Sequence, residues 1–248
     1  MKNIIFADGI VGVKICKWLL TYHQKDVDLI VTVNSNNITD LARSAGVSSI
    51  LFESEDQILK YIKKSKHVYD WGFLIWWPKI ISQELLRIPD KFFINTHPSF
   101  LPYNRGKHPN FWSLVNQNPF GVTLHLVENG IDSGDIISQE IIDYDWEDTA
   151  ATLYNKSLNR MVSLFEKTYP LIRNNQFKRM PQHPNKGDFH LAKEIDPSSI
   201  IDLNKKYYAH DLLNLIRARS FAGHPSCSFK DENNEKFDVN ITIKRSEK

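Results

Sequence analysis

Cysteine is scarce in this chain: Cys16 and Cys227 are its only two in 248 residues. They lie far apart with no Cys-x-x-Cys spacing, so neither a disulfide framework nor a zinc site is expected. No apolar run approaches about 20 residues, which excludes a membrane-spanning helix. Net charge is also slight, at +2 from 31 basic and 29 acidic residues, and calls for no nucleic acid or other polyanion as partner. The clusters Lys63–Lys64 and Lys205–Lys206 read as solvated helix faces. Met1–Asp8 enters a strand-like run without the basic-then-apolar layout of a leader. No internal repeat or low-complexity segment is present. The expectation is a soluble, cytoplasmic protein, long enough for one substantial core or a core with a small appendage.

What is there is an alternation. Asn3–Ala7, Val27–Val33, Ser49–Phe52, Tyr69–Trp76 and Phe92–His97 read as strands. Between them Val11–His23, Ile38–Ala45, Glu55–Lys64 and Lys79–Leu86 read as helices, the last closed by Pro89. Alternating strand and helix imply an α/β fold with a Rossmann-like, doubly wound, mostly parallel sheet. A helical turn at Asn110–Val115, strands at Val122–Val127 and Asp135–Ile142, and a long helix at Thr149–Tyr169 follow. The composition changes at Gln176–Pro184, a basic, Pro-containing stretch that suits a linker or crossover. Beyond it, a helix at Ala209–Arg219 and a hairpin with strands near Cys227–Phe229 and Lys236–Ile243 make a small extension. The expected division is 1–178 and 179–248, with the second part too small for an independent core and packed on the first or on a second subunit. Asp8-Gly9-Ile10-Val11-Gly12 reads as a tight turn. It lacks the Gly-x-Gly-x-x-Gly pattern and puts an anion where a phosphate would sit.

The chemistry concentrates in Phe92–Arg105 and Gly130–Gly134. Asn95 and His97, two apart at the end of a buried strand, share one face of it. Pro98 cannot donate to a ladder and should end the strand there, at the carboxyl edge where open α/β sheets bind ligands. Asp132 lies in a Gly-x-Asp-x-Gly turn that lets backbone approach a ligand. Amide, imidazole and carboxylate suit acyl transfer, as oxyanion donor, base and orienting group. Spacing alone also fits a hydrogen-bonded structural histidine and plain turn chemistry.

INTHPSFLPYNRG, followed by GVTLHLVENGIDSGDII, resembles the signature of the formyltetrahydrofolate-dependent formyltransferases. The resemblance places that family's catalytic trio on Asn95, His97 and Asp132. It implies 10-formyltetrahydrofolate as co-substrate and no metal, with Trp77, Pro78, Lys79, Ile131 and Asp135 on the folate side. Core packing is the alternative for the tryptophans around the fourth strand. Tyr103, Asn104, Arg105, Lys107 and His108 are the expected substrate contacts. Arg105 offers a forked donor for phosphate or carboxylate, and Lys107 and His108 could extend a diphosphate site or simply be solvated. His125 reads as a satisfied structural histidine.

The chain lacks the phosphate loop of glycinamide ribonucleotide formyltransferases and the long basic C-terminal domain of methionyl-tRNA formyltransferases. Its tail, with Glu194-Ile195-Asp196, Leu215-Ile216-Arg217-Ala218 and Gly223-His224-Pro225, resembles the bacterial dTDP-amino-dideoxysugar N-formyltransferases. That implies a homodimer joined by the C-terminal hairpin. It also implies a dTDP-amino sugar acceptor, C-4 amine before C-3, in O-antigen synthesis. Glycinamide ribonucleotide formylation, formyltetrahydrofolate hydrolysis and a non-enzymatic nucleotide-binding module are the alternatives.

Overall fold

The computed structural model describes residues 1–183 and 185–247. Pro184, at the end of the expected crossover, and Lys248, the last residue of the expected extension, lie outside the described residues. In chain order the elements are β1 Asn3–Ala7, α1 Gly9–Tyr22, β2 Val27–Thr32, α2 Asn37–Ser44, β3 Ser48–Leu51, α3 Glu55–Ser65 and β4 Trp71–Ile75. Then come α4 Gln83–Leu86, β5 Phe93–His97, β6 Arg105–Gly106, α5 Pro109–Asn116, β7 Gly121–Leu126 and β8 Ile136–Ile141. The long α6 Ala150–Arg173, β9 Phe189–His190, α7 Ile195–Ser198, α8 Ala209–Ala218, β10 Cys227–Lys230 and β11 Lys236–Val239 complete the chain.

Seven strands form one sheet in the order β3-β2-β1-β4-β5-β7-β8. The first five are parallel, whereas β7 and β8 join antiparallel. In β1 the side chains alternate between two cores, as strand periodicity requires. Ile5 and Ala7 join Val11, Ile15, Phe73, Ile94 and Phe165 under α1 and α6. Ile4 and Phe6 join Leu29, Ile58, Leu85 and Phe93 under α3 and α4. Gly72 is needed for this second core, because a Cβ there would come within 2.4 Å of the Phe93 ring. Cys16 and Cys227 are buried, unpaired thiols, the first pushed up to about 12 by burial. Among the described residues no helix is long and apolar enough to cross a membrane.

Two helices differ from expectation. The helix anticipated from Lys79 begins only at Gln83, where Ser82 caps it by accepting from the Leu85 N–H at 3.3 Å. Residues 79–82 stay non-helical, and Lys79, Ile80 and Ile81 line a cavity. α6 runs on to Arg173 through Pro170, whose missing N–H falls on the exposed side of the helix while Ile172 is buried beyond it. At the other end, Thr149 and Thr152 form a reciprocal cap.

A two-residue pair not expected from the sequence, β6–β9, joins Arg105 and Gly106 to Phe189 and His190 across the linker. The hairpin β10–β11 forms as expected, ending its second strand at Val239. It packs on α8 through Cys227, Ile216 and Ile201.

Candidate active site

β5 carries Asn95 and His97 to the carboxyl edge of the sheet, and β7 brings His125 directly opposite Asn95. Both histidines are buried. The turn after β7 swings back with Asp132 at φ +51°, a left-handed conformation uncommon for a residue with a side chain. This turn folds the carboxylate over the strand ends.

Asp132 collects four groups. Its Oδ2 accepts the Gly106 N–H at 2.9 Å and lies 3.5 Å from His97 Nδ1. Its Oδ1 accepts from Asn95 Nδ2 at 3.2 Å and lies 3.4 Å from His125 Nε2. Burial alone would raise the Asp132 pKa. His97, His125 and the Gly106 N–H outweigh it and hold the carboxyl far below the usual range. It is an anion at any working pH.

His97 presents Nε2 to the Asn104 carbonyl at 3.3 Å. A carbonyl can only accept, and Nδ1 makes no hydrogen bond to Asp132 at 3.5 Å, so the neutral ring is assigned with its proton on Nε2 and the lone pair of Nδ1 on the Asp132 side. Burial lowers the His97 pKa, with Asp132 opposing. A neutral base therefore stands beside a fixed anion able to stabilise its protonated form. His125 donates from Nδ1 to the Leu126 carbonyl at 2.8 Å, which leaves Nε2 to accept from Asn95 at 3.2 Å.

These groups form one wall of a cavity of about 660 Å³. Ile80, Ile81, Leu86, Val127 and Ile131 give it apolar lining, beside Lys79, Gln83 and Glu128, and Lys107, His108 and the segment Phe189–Ala192 form another part.

The Formyl transferase family profile matches residues 22–168, which contain every one of these triad groups. The chain belongs to the formyl transferase family. A second profile, the N-formyltransferase dimerization C-terminal domain, matches residues 194–245. This family member is 35% identical over 161 residues to the bifunctional polymyxin resistance protein ArnA of Wigglesworthia glossinidia brevipalpis. That match covers 64% of this chain and 24% of that protein. It is 26% identical over 150 residues to a dTDP-4-amino-4,6-dideoxyglucose formyltransferase of Mycobacterium bovis, covering 60% of this chain and 64% of that one. The matched region thus spans less than two thirds of either relative. Among solved structures, its fold is similar to the N-formyltransferase of Helicobacter canadensis in complex with folinic acid and dTDP-3-aminofucose. The TM-score is 0.75 at 24% identity, over 94% of this chain and 85% of that one.

Within this family member, the expected residues separate into two groups. Trp77, Pro78, Lys79, Ile131, Lys107 and His108 line the cavity together with Asn95, His97 and Asp132. Trp77 also packs edge-on against Phe6 and Phe52, so it serves both the core and the wall. Asp135 is not among the lining residues: its carboxylate pairs with Arg179 at 2.8 Å. Tyr103, Asn104 and Arg105 are also not among the lining residues. Asn104 is fully buried and donates to Ser113 Oγ at 2.8 Å, so its side chain is structural while its carbonyl holds His97. Arg105 directs Nε at the Asp188 carbonyl.

His125, expected to be a satisfied structural histidine, is buried and bonded to the Leu126 carbonyl, and it also lines the cavity beside Asn95 and Asp132. Its signal was register: a histidine placed to pair with Asn95 across an antiparallel ladder, visible only once β7 was known to run antiparallel.

Proposed function

We propose that this chain moves a formyl group from 10-formyltetrahydrofolate to the amine of a dTDP-amino-dideoxysugar. The preferred acceptor is dTDP-4-amino-4,6-dideoxyglucose, in the synthesis of a surface polysaccharide such as O-antigen. The observation that carries this reading is the convergence of Asn95, His97 and Asp132 on one cavity wall. The C-3 amine is the second choice, favoured by the likeness to the Helicobacter canadensis enzyme.

The cavity suits the two substrates. Its volume falls within the usual range for small-molecule sites, about 300–1,000 Å³. The apolar lining fits a flat pterin. At Lys107 and His108 the surroundings carry more basic than acidic groups: after burial, Arg219, Lys107 and His224 lower the His108 pKa further, and Asp196, paired with Arg219, opposes them. That part fits a diphosphate. The match of residues 194–245 to a dimerization domain supports a homodimer joined through the C-terminal extension.

In this mechanism the neutral sugar amine attacks the formyl carbon, forming the new C–N bond. The bond from that carbon to the folate N10 breaks, and N10 takes up a proton as the amine gives one up. His97 accepts the amine proton at Nδ1, and Asp132 stabilises the imidazolium that results. Asn95 turns one N–H from His125 to the formyl oxygen as negative charge develops there. A donor of this kind is typically worth about 3 kcal/mol.

The test is a mass-spectrometric turnover assay with formyltetrahydrofolate and a panel of amines. The panel holds dTDP-4-amino and dTDP-3-amino dideoxysugars, UDP-4-amino-arabinose and glycinamide ribonucleotide. A single formyl group gained by a dTDP-sugar supports the proposal. Formylation of glycinamide ribonucleotide alone would overturn the acceptor while keeping the trio.

A further inference from the structure

The catalytic histidine is held on one side by a backbone carbonyl, and that carbonyl belongs to a loop with an unusual anchor. Asn104 sits in the left-handed region at φ +55°, beyond a turn closed by the Tyr103 N–H on the Phe100 carbonyl. Its N–H donates to Asp188 Oδ1, 84 residues away in sequence. The other oxygen of that carboxylate, Oδ2, is surrounded by donors: Asn118 Nδ2 at 2.8 Å, Asn116 Nδ2 at 3.0 Å and His190 Nε2 at 3.2 Å. The Asp188 backbone carbonyl also accepts the Arg105 N–H at 3.1 Å. His190 in turn is stacked on Trp112 with ring centroids 3.8 Å apart, and its Nδ1 meets Glu194 at 3.1 Å. Gly187, at φ +77°, lies so close to the Pro102 carbonyl that a Cβ there would come within 2.0 Å of the oxygen. A single carboxylate thus ties Asn104 to α5, to the loop after α5 and to β9.

We propose that Asp188 is a positioning residue for His97: its carboxylate holds the Tyr103–Asn104 peptide and its backbone carbonyl the Asn104–Arg105 peptide, and together they place the Asn104 carbonyl that keeps the imidazole proton on Nε2. The consequence is chemical. With Asn104 held, His97 presents a bare Nδ1 toward Asp132 and the cavity, the tautomer a base needs. With Asn104 loose, the proton redistributes to Nδ1, where Asp132 attracts it, and the basic lone pair moves to Nε2, away from the Asp132 side. The same anchor steadies Arg105 and Gly106, and so the Gly106 N–H on Asp132. The charged and titratable groups that face His97 are Asp132, His125 and Lys107. Those that meet Asp188 are His190 and Arg105.

This inference rests on the proposed formyl transfer, but one arm of its test does not. Long-range ¹⁵N–¹H spectra of histidine-labelled, ligand-free protein report the tautomer of His97, assigned by its loss in His97→Gln. The wild type is expected to show Nε2–H, and Asp188→Ala a shift toward Nδ1–H. In turnover, Asp188→Ala should lower kcat by about 10- to 100-fold with KM for both substrates changed less than about threefold. The acid limb of its kcat profile should move from that of the wild type. If Asp188→Ala does not fold, Asp188→Asn and Asn118→Ala carry the same measurements with smaller expected effects. A tautomer and pH profile identical to wild type would overturn the assignment, even if kcat fell, because the loss would then be merely structural. A tautomer shift in a protein that formylates no acceptor would support the positioning role and overturn the functional reading.

Discussion

Asn95 and His125 stand directly opposite each other on antiparallel strands, and the Asn95 amide donates to the imidazole at 3.2 Å. The same amide donates to Asp132, so His125 sets which way Asn95 faces. His125→Ala should lower kcat by about tenfold and leave the KM for the folate unchanged. Steady-state kinetics decide this, and a wild-type kcat would return His125 to a purely structural role.

Acid should weaken both the fold and the activity, with the same sign from two groups. The folded Asp132 pKa is depressed, so its stabilisation is complete above the unfolded carboxyl value, about 3.9, and is lost as pH falls through the folded value. The folded His97 pKa is also lowered, chiefly by burial, so the unfolded state takes up a proton first below about 6.5. Urea unfolding of wild type and Asp132→Asn should show a stability gap at pH 7 that narrows by pH 3. A gap that widens would contradict this assignment. In turnover, the acid limb of kcat/KM should lie below pH 6.5, about the ordinary histidine value.

Gly106 has two duties that no other residue can combine. It adopts φ +89°, and a Cβ would come within 2.2 Å of the His190 carbonyl. Gly106→Ala should therefore cost about 1–3 kcal/mol in strain and separate β6 from β9, withdrawing an N–H from Asp132. Thermal unfolding and kcat should fall together. An unchanged kcat in a destabilised protein would separate the strand pair from catalysis.

Lys107 and Asp135 make a matched contrast. Lys107 lines the cavity, whereas Asp135 is engaged by Arg179 away from it. Lys107→Ala should raise the KM for the nucleotide sugar about tenfold with little change in kcat, as loss of uniform binding does. Asp135→Asn should leave both constants within about twofold. The reverse pattern would move the diphosphate to another part of the cavity.

The sequence disclosed the parts whose physics is local. Apolar strand runs, Pro98 after His97 and the glycines around Asp132 led to the sheet and to three side chains that the structure brings together. The antiparallel entry of β7 was hidden, because alternating strand and helix say nothing about the direction of a strand that follows a loop. The late start of α4 was hidden as well. Lys79, Ile80 and Ile81 have helical neighbours in sequence, but Ser82 sets the cap. Asp188 left no local trace at all, since its partners Asn104, Asn116 and Asn118 come from a segment folded earlier in the chain.

The short pair β6–β9 has a consequence for how the protein comes into being. The residues proposed to do the chemistry, Asn95 to Asp132, leave the ribosome well before Phe189 and His190, the partners of Arg105 and Gly106. Until those last residues arrive, Gly106 has no neighbour to aim its N–H at Asp132. The change of composition before residue 184 thus divides the chain for a reader of the sequence, while the working centre reaches across it and is finished only by residues from the far side.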